Sequence, residues 1–122
     1  MDAKTIFQPK IWYIICGGIA LLGGIENQIN AETWAKSAWG TGNANDQALA
    51  MEVLFGLFMC GFGAMGLACA FALDGAAQAR FAMVNGSIMI AFFLAMFVLL
   101  PGTGYEMPVS YTHLRAHETY TY

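Results

Sequence analysis

The chain has 122 residues, 58% of them hydrophobic and 11% charged, with a mean hydropathy of +0.55. Average soluble domains carry about 25% charged residues, and so small a sphere has too much surface to hide this apolar excess from water. With Lys+Arg at 5 against Asp+Glu at 8 and a net charge of −3, nucleic-acid binding, disorder and collagen-like structure are excluded together. What remains is a chain solvated by lipid.

Lys4 and Lys10 precede the first apolar run, Ile11–Ile25. Its length suits either a short span or the h-region of a signal peptide. The residues that follow, Glu26, Asn27, Gln28 and Ile29, lack a small-x-small cleavage pattern. A retained helix over about 11–25 is therefore expected, extended at its interfaces by Ile6, Phe7 or Ile29. Trp12 would anchor it at headgroup depth, beside Tyr13.

Residues 30–39 read as a short amphipathic helix. Asn30 is its expected cap, Glu32 and Lys36 form an i,i+4 pair, and Gly40 is a natural stop. Trp34, Ala35, Ala38 and Trp39 share one face, which suggests a helix lying on the outer membrane surface with both indoles as anchors. A lid over a ligand site is the alternative. Gly42, Asn43, Asn45 and Asp46 then form a turn, with Asn45 or Asp46 capping the next helix.

The second and third spans are expected over 49–73 and 80–100. No Asp, Glu, Lys or Arg occurs in Val53–Leu73 or in Phe81–Leu100. At ~1.5 Å per residue each run covers about 30 Å, the thickness of a bilayer core. The connection Asp74–Ala79 is tight, so these spans should be antiparallel neighbours, and Pro101, Gly102 and Gly104 end the third. Alternate crossing puts Lys4, Lys10 and Arg80 on one side and Lys36 on the other. The positive-inside rule then predicts a cytoplasmic N-terminus. The expected location is a bacterial inner membrane.

The second span carries small residues four apart, Gly56, Cys60, Ala64, Ala68 and Ala72, on which another helix could pack closely; Gly17 and Gly24 offer the same in the first span. The ionisable residues of interest are Glu26 and Glu52 at the outer ends of their spans, with Asn85 inside the third. Together they define a candidate polar path for a proton, a cation or a small solute. Interfacial carboxylates can also simply reach water, and Glu52 complements the helix dipole. Cys16, Cys60 and Cys69 lack a CxxC spacing and electropositive surroundings, which gives no reason to expect redox catalysis. No catalytic triad, metal cluster or phosphate loop is visible, and neither a cofactor nor an enzymatic activity is expected.

The final stretch differs in character. Pro108–Thr119 reads PVSYTHLRAHET and resembles the translated read-through of a sequencing-library adapter. The resemblance implies a non-native tail over 108–122, a truncated gene, and native sequence continuing past Met107, with a fourth span completing the bundle. A genuine tail would instead offer His113 and His117 at i,i+4, too few ligands for a metal site.

The expected fold is thus all-α: an integral membrane bundle over 1–107, with three transmembrane helices and one short interfacial helix. Its expected partners are the lipid bilayer and either further copies of itself or a larger membrane complex. The expected role is an accessory or self-associating bundle acting through helix packing. The alternative is a minimal transporter or channel using Glu26, Glu52 and Asn85.

Overall fold

The computed structural model describes residues 3–105. The expectations for 108–122, including His113, His117 and a continuation of the chain, lie outside the described residues. The described part is 83% helical, without strands. Its elements are α1 (Ala3–Ile6), α2 (Pro9–Ile29), α3 (Ala31–Trp39), α4 (Asp46–Ala72) and α5 (Gly75–Leu99). Three of them, α2, α4 and α5, are long and apolar enough to cross a membrane.

Local chemistry explains the boundaries. Pro9 opens α2 at a position where its missing N–H costs nothing, and the Trp12 indole donates to the Ile6 carbonyl at 2.6 Å, pinning α1 against it. α2 continues past the expected limit at Ile25, because Glu26, Asn27 and Gln28 all find hydrogen-bond partners while staying helical. Asn30 joins α2 to α3 through its backbone, donating to the Glu26 carbonyl and accepting from the Trp34 amide. Its side chain does not cap α3 as expected but donates to the Glu26 carboxylate at 2.8 Å. Gly40, at φ +84°, ends α3. Asn45 caps α4, its side chain accepting from the Ala48 amide at 2.9 Å.

The α4–α5 connection is tighter than the sequence suggested. Ala76, Ala77, Gln78 and Ala79 are good helix formers and join α5, leaving Leu73 and Asp74 as the turn, with Gly75 at φ +51°. Gln78, 6% exposed, turns its amide back onto the open end of α4 and donates to the carbonyls of Leu73 (2.9 Å), Cys69 and Ala70 (both 3.3 Å). It thereby serves the carbonyls at the helix C-terminus, adding to the Leu73 amide that already donates to Cys69.

Packing is unequal. α2 and α4 pair antiparallel in backbone contact, and α3 folds over the end where α2 stops and α4 starts through Ala31, Ala35 and Ala38, all buried. α5 stands beside α2 at side-chain distance. The Tyr13 and Phe81 rings meet at 6.5 Å near its start, and Tyr105, just beyond its end, sits edge-on to Trp39 at 5.3 Å. Between these two points most α5 side chains are exposed. At ~1.5 Å per residue α4 is about 40 Å long, more than a ~30 Å core requires, so its Asp46 end has length to spare where α3 docks.

Candidate functional site

The α2–α4 seam rests on four glycines. Gly17 lies against Gly63, and Gly24 against Gly56. A methyl group on Gly24 would come 2.6 Å from the Gly56 carbonyl oxygen and 2.8 Å from the Cys60 amide nitrogen. On Gly63 it would come 2.5 Å from the Leu21 nitrogen and 2.6 Å from the Gly17 oxygen. Such an approach permits Cα–H···O contacts and dense dispersion between helices that have no hydrophobic drive to associate in lipid.

The pairing partly follows the stripe expected from the sequence. Gly17, Gly24 and Gly56 are buried in the seam, and Cys60 lies at its edge, its Sγ 3.7 Å from the Leu21 carbonyl. Ala64, Ala68 and Ala72 are exposed and away from α2. Steps of four residues advance about 400°, so such a stripe drifts by ~40° per step and leaves the contact face. The seam instead follows seven-residue spacing, Gly17 to Gly24 and Gly56 to Gly63, with Gly66 and Ala70 continuing it on α4. Seven residues return within ~20° of the start, so this spacing stays on the contact face. Both spacings are present in the sequence, and the heptad one is the signal that finds Gly63.

Above this seam lies a polar cluster. Glu52 on α4 is 4% exposed and Asn27 on α2 is 6% exposed. The Asn27 amide donates to the Glu52 backbone carbonyl at 2.7 Å and to its carboxylate at 3.4 Å. Gln28 reaches the Gly24 carbonyl and the Cys60 Sγ, both at 3.5 Å. No base pairs with Glu52 among the described residues, where the ion pair found is Lys36 with Glu32, 2.7 Å apart on the surface of α3. The Lys36 hydrogen bond and charge hold the exposed Glu32 carboxyl below its ordinary range. The Trp39 indole N–H, beside Tyr105, is buried without a partner among the described residues, as is the Tyr13 hydroxyl at the opposite end.

The three residues of the candidate polar path are not brought together. Glu26 is exposed and accepts from Trp34 (2.8 Å) and Asn30 (2.8 Å), Glu52 faces Asn27, and Asn85 is half-buried on α5. No hydrogen bond links any two of them. Of the aromatic residues expected at the interfaces, Trp12 is tied to α1, Trp34 to Glu26 and Trp39 to Tyr105. Asn27, Gln28, Gln78 and Tyr105 lie outside the charge-free runs, where an amide or phenol does not stand out as Asn85 does.

Comparison with protein-family models, curated proteins and solved structures gives no match for this chain. The site is therefore read from its own chemistry.

Tyr105 offers a check on the polar cluster. Burial, and then the nearby charge of Glu52, push its hydroxyl above the ordinary value of 10.0. A raised folded value means that stability is unaffected below the unfolded titration and declines as the pH rises above about 10. Absorbance titration of tyrosinate, with Tyr105→Phe subtracted, should give a midpoint above that of free tyrosine. A midpoint at the free value would place Tyr105 in water, away from Glu52.

Proposed function

We propose that this chain is an integral membrane protein acting through helix packing, as a self-associating bundle and without catalysis of its own. The observation that carries this reading is the asymmetry of the bundle. α2 and α4 are zipped at backbone distance, whereas the most apolar window of α5 has none of its residues buried. Lipid can cover much of such a helix, and a further protein helix can cover a part. Membership in a larger membrane complex is the related role, in which the same surface meets a different subunit.

The proposed location is a bacterial inner membrane with the N-terminus in the cytoplasm. Supporting this, Lys10 and the α4–α5 turn gather at one end of the bundle, where Gln8, Lys10, Asp74 and Gln78 line a cavity of about 300 Å³. Lys10 also lies 5.5 Å from the centre of the Phe71 ring. Basic residues concentrated at one end are what the positive-inside rule reads.

Self-association is tested by energy transfer between donor- and acceptor-labelled full-length chains in lipid vesicles, as the protein-to-lipid ratio is lowered. Transfer above the level of random proximity, falling with dilution as a reversible equilibrium, is expected. Transfer at the random level at every ratio would exclude self-association.

A further inference from the structure

The end of the bundle away from α3 gathers polar groups that the fold itself does not use. A cavity of about 300 Å³ lies there between the start of α2, the end of α4 and the start of α5, near the lower limit of sites that hold small molecules. Gln78 lines it and is 6% exposed. Its amide nitrogen is engaged by the carbonyls of Cys69, Ala70 and Leu73, so the opposite edge of the carboxamide, Oε1, faces away from α4. That oxygen has no donor among the described residues, and the open space that Gln78 borders is this cavity.

Lys10 and Asp74 line the same space with opposite charges. They form no ion pair, since the pair found among the described residues is Lys36 with Glu32. Asp74 stands at the N-cap of α5, where an aspartate ordinarily accepts from the first turn, yet its side chain makes no such bond. The carboxylate is left over, and so are the amides of Gly75, Ala76 and Ala77. The first amide used inside the helix is that of Gln78, which donates to the Asp74 carbonyl at 3.3 Å. A methyl group on Gly75 would meet nothing within 4 Å, so the approach to these amides is open. One cavity thus combines donors for an anion, Lys10 and the positive end of α5, with acceptors for a cation, Asp74 and the Gln78 Oε1.

We propose that this cavity binds the headgroup of a zwitterionic phospholipid bearing a primary ammonium, of the phosphoethanolamine class. Three helices of membrane length begin or end at the cavity, which puts it at the level of lipid headgroups. The phosphate accepts from Lys10 and the first amides of α5, while the ammonium donates to the Asp74 carboxylate and the Gln78 Oε1. A purely anionic head would set negative charge against both acceptors. A choline head has no N–H to donate to them. Beside the cavity, Phe71 and Phe81 leave ring surface open to acyl chains, being 72% and 42% exposed. The Lys10 ammonium lies 5.5 Å from the centre of the Phe71 ring, at the junction of the polar and apolar parts. The site rests on the membrane insertion proposed above and is independent of self-association.

The test uses full-length chains in vesicles of equal parts phosphatidylethanolamine, phosphatidylglycerol and phosphatidylcholine. Flotation shows insertion, and native mass spectrometry after detergent extraction counts the lipids that each chain retains. Phosphatidylethanolamine should be retained about tenfold over phosphatidylcholine, as one charge-assisted hydrogen bond provides. Asp74→Asn keeps a capping side chain but not the charge, and should abolish that preference. Lys10→Gln should weaken retention of all three lipids, since each carries the phosphate. Both positions are exposed, and circular dichroism checks that the variants keep their helix content. Chains that float yet retain the three lipids equally would overturn the site and leave the membrane reading standing. A preference unchanged by Asp74→Asn, or retention unchanged by Lys10→Gln, would overturn it too. Preference for phosphatidylglycerol would overturn it by showing a plain anion site. Chains that do not float would overturn the membrane reading as well.

Discussion

Gly63→Ala should destabilise the α2–α4 pair by about 1–3 kcal/mol, the range for forcing an extra methyl group into a closed interior. The sign is not obvious beforehand, because alanine is the better helix former by about 1 kcal/mol. The neighbouring atoms decide it. The added carbon would lie 2.5 Å from the Leu21 nitrogen and 2.6 Å from the Gly17 oxygen. Both are main-chain atoms inside a helix, so no rotamer change can relieve the clash and the helices must separate along the seam. Gly24→Ala should behave alike, facing the Gly56 oxygen at 2.6 Å. Gly66→Ala, whose nearest neighbour would be the Gly17 Cα at 3.4 Å, should cost less. Gly18→Ala and Gly61→Ala meet nothing within 4 Å and should be neutral or stabilising. Unfolding titrations in detergent micelles would rank the series, and equal stability of the Gly63 and Gly61 variants would show that the seam is not closed at backbone distance.

The second large effect is expected at Asn27. Asn27→Leu keeps the branched shape of the side chain but removes the donor facing Glu52. The Glu52 backbone carbonyl loses an extra partner at 2.7 Å, and its nearly buried carboxylate loses the amide at 3.4 Å. Leaving such a group unpaired costs about 1–3 kcal/mol, and more for a charge. Replacing both partners by apolar residues removes the unpaired group, so the double variant Asn27→Leu/Glu52→Leu should recover most of the loss. Glu52→Gln keeps the backbone bond and should sit near wild type. A double-mutant cycle in the same unfolding assay measures this coupling. Additive losses would mean that Asn27 and Glu52 act separately.

Self-association and the Asn27 pair draw on different parts of the molecule. The polar cluster fixes how α2, α3 and α4 close their shared end, while α5 carries the surface on which a second copy is proposed to dock. Variants in the cluster should therefore change unfolding more than association, and variants on the exposed face of α5 the reverse. The two assays report on the two roles separately.

Much of this architecture was legible in the sequence. The charge-free runs Val53–Leu73 and Phe81–Leu100 sufficed for two long apolar helices, because hydrophobic length is a one-dimensional property. The turn at Asp74, the stop at Gly40 and the cap at Asn45 were equally local. The limit of the first span was not. Glu26, Asn27 and Gln28 read as an end because they are polar, yet they remain helical because α4 and α3 supply their partners.

What the sequence determined by itself is the class of the molecule: three helices fit to cross a membrane, one short helix between the first two, and one end richer in basic residues. Only the tertiary structure decided which faces meet. Gly56 begins a four-residue stripe and also a seven-residue one, and both are compatible with a helix. An antiparallel partner selects the second, because only a near-whole number of turns keeps glycines aligned along a contact about seven residues long between steps. The same holds for the polar residues. Asn27, Glu52 and Asn85 look equivalent as letters in an apolar chain, and only folding gives the first two a partner in each other while leaving the third without one.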